Sequence, residues 1–169
     1  LKICEDLQYI AAMQHPGGGK NDIPNRLKRN FFIFNLVLPS IVSINDIYGQ
    51  MLKGRFPASD FNDAAAEVLS KLTAVTIQLW KSCKDKLLPT PAKFHYIFNM
   101  RELSRIFQGV LRTPLAQIPD EKVLVQLWRH ECDRVIQDKL TTLEDKAAFA
   151  AELTSQTSAL ITGPAAAGG

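Results

Sequence analysis

The sequence predicts an α/β segment followed by a set of helices, and three observations carry that reading. Two short apolar runs, residues 9–13 (YIAAM) and 31–38 (FFIFNLVL), are stopped by a glycine loop and by Pro39. Continuous apolar runs of this length suit strands covered on both faces of a parallel sheet. From residue 43 onward apolar residues recur at three and four, the helical period, and prolines and capping residues divide that part into separate helices.

In chain order, the first strand is expected at 9–13, and His15-Pro16-Gly17-Gly18-Gly19 makes a loop after it. Residues 25–30 (NRLKRN) form a short basic turn of helix ahead of the second strand at 31–38. Ser43 caps a helix to about residue 53, with Asp46 as the other half of a capping box. Ser59 caps a long helix whose stripe is Phe61, Ala65, Val68, Leu72, Val75, Leu79 and Cys83, and Pro89 and Pro91 end it. Asn99 and Glu102 have capping-box spacing and open a helix with Met100, Leu103, Phe107, Val110 and Leu111 on its apolar face. Asp120 starts a further helix through Leu124, Leu127, Trp128, Val135 and Ile136 to about residue 140, with acidic residues first and Lys139 near its end. From Ala147 the chain is rich in Ala, Ser and Thr and ends GPAAAGG, a composition that predicts a linker or frayed end.

With 169 residues, 46% of them hydrophobic, the chain has the size and apolar content of one folded domain. The longest apolar run is far below the roughly 20 residues that cross a bilayer, so no membrane association is expected. A net charge of +3 from 20 basic and 17 acidic residues is too weak for nucleic-acid binding. Cys4, Cys83 and Cys132 share no motif spacing and read as reduced, partly buried thiols. The opening LKICEDLQ has neither an initiator Met nor a signal peptide, and the chain reads as a piece of a longer protein.

Few constellations carry chemistry. HPGGGKN after a strand invites a phosphate loop, but Asn21 stands where the Ser or Thr that holds magnesium belongs, which favours a plain surface loop. In RLKR, Arg26 and Arg29 share a helix face. They suit either a solvated turn or an arginine presented across an interface to phosphates, where a permanent, forked charge is needed. Arg101 sits in the first turn of its helix, against the helix dipole, with Arg105 and Arg112 beyond it. His130-Glu131 begins the zinc pattern H-E-x-x-H, but Arg134 replaces the second His, so no metal site is expected; His130 reads as a structural hydrogen-bonding group and Trp128 as core.

Three separated stretches are more specific. Residues 8–40 (QYIAAMQHPGGGKNDIPNRLKRNFFIFNLVLPS), 87–111 (LLPTPAKFHYIFNMRELSRIFQGVL) and 124–140 (LVQLWRHECDRVIQDKL) occur in family order and resemble the C-terminal half of the third AAA+ module of dynein heavy chains. The HPGGG and RLKR wording resembles the axonemal, outer-arm type. The tail after Ala147 carries no resemblance.

The resemblance implies a partial P-loop NTPase fold. Residues 1–42 would hold the last two strands of the α/β subdomain and 43–146 the small helical lid, which leaves 147–169 as the low-complexity linker or frayed end that its composition predicts. It places sensor 1 on Gln14, where many AAA+ proteins have Asn, the arginine finger on Arg29 with Arg26 as the close alternative, and sensor 2 on Arg101. The implied cofactor is ATP or ADP with Mg2+, held mainly by residues outside this chain, since Walker A and Walker B motifs are both absent from it. The implied partners are neighbouring AAA+ modules, the microtubule, and dynein intermediate and light chains, in the cytoskeleton of the ciliary or flagellar axoneme. Two other readings stay open: a non-hydrolysing helical scaffold whose arginines are structural, and a different AAA+ remodelling ATPase.

Overall fold

The chain divides into two units, residues 1–38 and 39–169. A computed structural model describes residues 3–13, 21–57 and 63–162. Among the described residues no helix is long and apolar enough to cross a membrane.

In the first unit the only regular element among the described residues is α1 (Asn25–Lys28), the single basic turn that the sequence predicts. Pro24 precedes it, with its φ of −55° already close to the helical value. The two expected strands do not form. Residues 9–13 and 31–38 have no regular secondary structure and are exposed, with Ile10 at 89% and Leu36 at 91% of full exposure. This corrects the α/β expectation for the described residues. A strand exists only when another strand completes its hydrogen-bond ladder and elements on both faces cover its side chains. The described residues supply neither. The loop at 15–20 and the sensor 1 position Gln14 lie outside the described residues.

The second unit is helical: α2 (Ile41–Arg55), α3 (Asp63–Lys86), α4 (Met100–Arg112), α5 (Glu121–Val135) and α6 (Leu143–Thr162). α2 begins earlier than the sequence suggests. Ser40, not Ser43, is its cap, and the Ser40 hydroxyl accepts the Ser43 N–H at 3.1 Å. The Asp46 capping box is therefore absent. α4 and α5 start where predicted: the Asn99 side chain accepts the Arg101 N–H at 2.8 Å, and Asp120 accepts the Val123 N–H at 2.8 Å. α5 ends at Val135 and a 3-10 turn, Gln137–Lys139, follows it.

α3 is the hub, packing against α2, α4, α5 and α6. Every described member of its predicted stripe, from Ala65 through Val68, Leu72, Val75 and Leu79 to Cys83, is buried. Phe61 and Ser59 lie outside the described residues. Trp128 of α5 is fully buried against this face and donates from Nε1 to Thr76 Oγ1 at 2.8 Å. Burial pushes the Cys83 thiol up to about 12 and the Cys132 thiol well above its ordinary value, so both remain protonated and unreactive.

The Ala-rich segment is not a linker. α6 continues to Thr162 and buries Phe149, Leu153 and Leu160, while Glu152 pairs with Lys86 of α3 at 2.9 Å. Alanine is the strongest helix former, and large apolar residues spaced by four and seven place one stripe on the core. Residues 163–169 lie outside the described residues.

Leu72→Ala should lower the unfolding free energy by about 2–5 kcal/mol, the range for a fully buried leucine. Chemical denaturation of the helical unit measures it, and a loss below about 0.5 kcal/mol would place this face in solvent.

Candidate functional site

The chemistry-bearing residues are arginines, and the local structure decides which are free. In α1, Lys28 is drawn to Asp22, with Nζ at 2.6 Å from Oδ1 and 2.7 Å from Oδ2. The same carboxylate accepts the Ile23 N–H at 2.8 Å. Arg26 and Arg29 are exposed, and their guanidinium groups make no hydrogen bond or ion pair among the described residues. Arg29 is the C-cap, with helical φ and ψ and its N–H on Asn25 O at 3.1 Å. Its backbone is thereby fixed while its side chain stays unengaged. The acid next to this basic turn therefore takes the lysine and leaves both candidate fingers.

Arg101 occupies the second position of α4, in the second unit. Its side chain is exposed and makes no hydrogen bond or ion pair among the described residues, while the backbone beneath it is clamped from three directions. Asn99 caps the Arg101 N–H, and Glu102 Oε2 accepts the Asn99 N–H at 2.9 Å, completing the box. Trp80 of α3 donates from Nε1 to Asn99 O at 3.2 Å. Lys139, beyond α5, reaches Glu102 Oε1 at 2.7 Å, donates to Ile97 O at 3.3 Å and lies over the Phe98 ring. Burial alone would raise the Glu102 carboxyl pKa, but the Lys139 ammonium and the Asn99 N–H outweigh it and hold the group below its ordinary value.

A second polar cluster fixes the segment that leads into α4. Asp145 Oδ2 accepts from Lys93 Nζ at 2.5 Å, Thr142 Oγ1 at 2.5 Å and Tyr96 OH at 2.9 Å. Tyr96 OH in turn accepts the Thr141 N–H at 2.9 Å, and His95 Nε2 meets Lys139 O at 3.0 Å. The hydrogen bond from Lys93, followed by that from Thr142, lowers the Asp145 pKa to about 2. Sequence spacing reveals the Asn99–Glu102 half of this arrangement. It carries no signal for Trp80, Lys139 or Asp145, because those partners are remote in the chain.

The remaining candidates are placed elsewhere. His130 is exposed and makes no hydrogen bond among the described residues, which corrects the structural role expected of it. Its neighbour Glu131 is buried and accepts from Arg134 at 2.6 Å and 3.1 Å, so the residue that breaks the zinc pattern neutralises its acid instead. Among the described residues no group of three or more His, Cys, Asp or Glu is arranged to hold a metal. A groove of about 210 Å³ between α2 and α3, lined by Leu52, Phe56, Leu69 and Thr73, contains none of the arginines.

A family model described as the AAA+ lid domain matches residues 72–160, more than half of the chain, and one described as the P-loop containing dynein motor region matches residues 1–39. The chain belongs to the AAA+ proteins of dynein heavy-chain type. It is 51% identical over 161 residues to the dynein gamma chain of the flagellar outer arm from Chlamydomonas reinhardtii, an alignment covering 86% of this chain and 4% of that one. It is 50% identical to the mouse dynein axonemal heavy chain 5 and 50% identical to the human dynein axonemal heavy chain 8, covering 83% and 88% of this chain and 3% of each relative. This dynein-type chain thus spans only 3 to 4% of the length of these relatives.

The depressed Asp145 pKa fixes a pH dependence. Because the folded value lies below the unfolded one of about 3.9, its contribution to stability is complete above that pH and is lost as pH falls toward about 2. Thermal melts between pH 5 and pH 2 should show a steeper acid decline for the parent chain than for Asp145→Asn. Parallel curves would remove Asp145 as the source.

Proposed function

We propose that this dynein-type segment is the C-terminal half of one AAA+ module, the third in a heavy-chain ring. Residues up to about Leu38 would complete the α/β subdomain, and residues 39–162 would form the helical lid. In the whole module the apolar runs 9–13 and 31–38 enter a parallel sheet whose other strands come from the rest of the heavy chain. The parent works as an ATP-driven microtubule motor of the ciliary or flagellar axoneme. Its partners are the neighbouring modules, the microtubule, and intermediate and light chains. The chain alone, without Walker motifs, binds nucleotide poorly and does not hydrolyse it.

One observation carries the reading: among the described residues Arg26, Arg29 and Arg101 are exposed with no hydrogen bond or ion pair to their guanidinium groups, on fixed backbone, while nearby Lys28 and Lys139 are consumed by Asp22 and Glu102. A guanidinium kept free on a rigid support suits a phosphate that arrives from outside, because its fork forms paired charge-assisted hydrogen bonds. Arg101 acts as sensor 2, on nucleotide held by its own module. Arg29 acts in trans as the finger toward the next module, with Arg26 the alternative, and Gln14 takes the sensor 1 position. ATP or ADP with Mg2+ supplies the phosphoryl group and its metal; these side chains supply compensating charge.

Two measurements in the intact heavy chain test the assignments. Arg101→Ala should weaken nucleotide affinity at this module, by about ten-fold for the loss of one charge-assisted phosphate contact. Unchanged affinity would remove Arg101 from the site. Arg29→Lys should slow single-turnover hydrolysis at the adjacent module by up to about 10³–10⁵, since an ammonium lacks the fork. Equal rates for the parent, Arg29→Lys and Arg26→Lys would exclude both residues, and a loss confined to Arg26→Lys would move the role three positions back.

A further inference from the structure

The outer face of α4 carries more charge than a nucleotide needs. Arg101, Arg105 and Arg112 project within about 40° of one another at 100° per residue, a single row about 16 Å long. All three are exposed, and none makes an ion pair or side-chain hydrogen bond among the described residues. The other exposed residues of this face, Ser104 and Gln108, are neutral. Glu102, the one acid of α4, is turned into the core and engaged by Lys139. At the far end, Arg55 of α2 is anchored by its Nε to Leu111 O at 3.1 Å, which brings a fourth guanidinium, without an ion pair among the described residues, to the C-terminal end of α4. Six other basic residues, Lys28, Lys71, Lys86, Lys93, Arg134 and Lys139, do have carboxylate partners within the chain.

The row stands on a rigid base. Leu103, Ile106, Phe107 and Val110 on the opposite face are at most 1% exposed. Like charges one and two turns apart repel, so the arrangement costs stability unless something outside compensates it. A row of this length extends past a triphosphate bound at its Arg101 end. The charge of the chain as a whole, +3, argues against a nucleic-acid backbone, which calls for a broadly basic surface.

We infer that Arg105, Arg112 and Arg55 form a docking strip for an acidic protein segment, with carboxylates spaced along about 10 Å to match the two turns from Arg105 to Arg112. The nucleotide role of Arg101 is separate, and either assignment survives the failure of the other.

A helix-forming peptide of about 16 residues with glutamates at i and i+7, matching the two turns from Arg105 to Arg112, and its glutamine counterpart, serve as fluorescent probes of the 169-residue chain. The glutamate peptide should bind, and binding should weaken at about 300 mM salt. Arg105→Gln/Arg112→Gln should lose about ten-fold in affinity, the sum of two exposed charge-assisted contacts. Lys81→Gln/Lys84→Gln, which removes the same charge from α3, should stay within about two-fold, with equal melting curves showing both variants folded. Failure of the glutamate peptide to bind, an equal loss in both double variants, or binding of oligothymidylate with the same dependence on Arg105 and Arg112 would overturn the proposal.

Discussion

The helical unit is organised around one buried indole. Trp128 is fully enclosed between α5 and α3, and a tryptophan N–H taken out of water must find an acceptor or cost several times what a made bond contributes. Thr76 provides it, and the threonine hydroxyl in turn donates to Leu72 O at 2.6 Å. The relay sets both the rotation of α5 about its axis and its height along α3. Since α3 also touches α2, α4 and α6, the register fixed there propagates to the whole unit.

From that base, order is delivered to one exposed arginine. A second indole of α3, Trp80, holds the carbonyl of the α4 cap, and the half-buried Lys139 paired with buried Glu102 fastens the same turn to the segment after α5. Such a pair contributes little net stability, because desolvating the carboxylate offsets much of the attraction, but it leaves few alternative geometries. Its value here is positional. The Arg101 backbone cannot drift, although the side chain above it is free to meet a ligand. The Asp145 cluster does the same for the connecting segment, tying Lys93 and Tyr96 to the start of α6.

The first unit shows the opposite balance. It has α1 and a lysine–aspartate pair, but its apolar runs are exposed, and among its described residues there is no counterpart to Trp128. Phe32 and Phe34 meet each other, with ring centroids 4.9 Å apart.

What the sequence by itself determined is the content that local chemistry decides. The α3 stripe, the Asn99 and Asp120 caps and the basic turn at 25–28 were all legible, because each depends on residues within a turn or two of one another. The family was legible too, from three motifs in order. The strands expected at 9–13 and 31–38 are not seen among the described residues, because a continuous apolar run becomes a strand only where a ladder partner and covering elements are present, and the run itself says nothing of either. The helical character of the Ala-rich segment was hidden for a related reason. Phe149, Leu153 and Leu160 are only three large residues among many small ones, and it is docking on the core, with Glu152 paired to Lys86, that makes them a face. Only the tertiary structure decided which cations are spent and which are free. RLKR looks uniform as a string, yet Asp22 claims Lys28 and leaves Arg26 and Arg29, and Lys139 crosses from beyond α5 to take Glu102 and leave Arg101 its charge. Ion pairing depends on distances of a few ångströms between remote segments, and folding alone sets those distances.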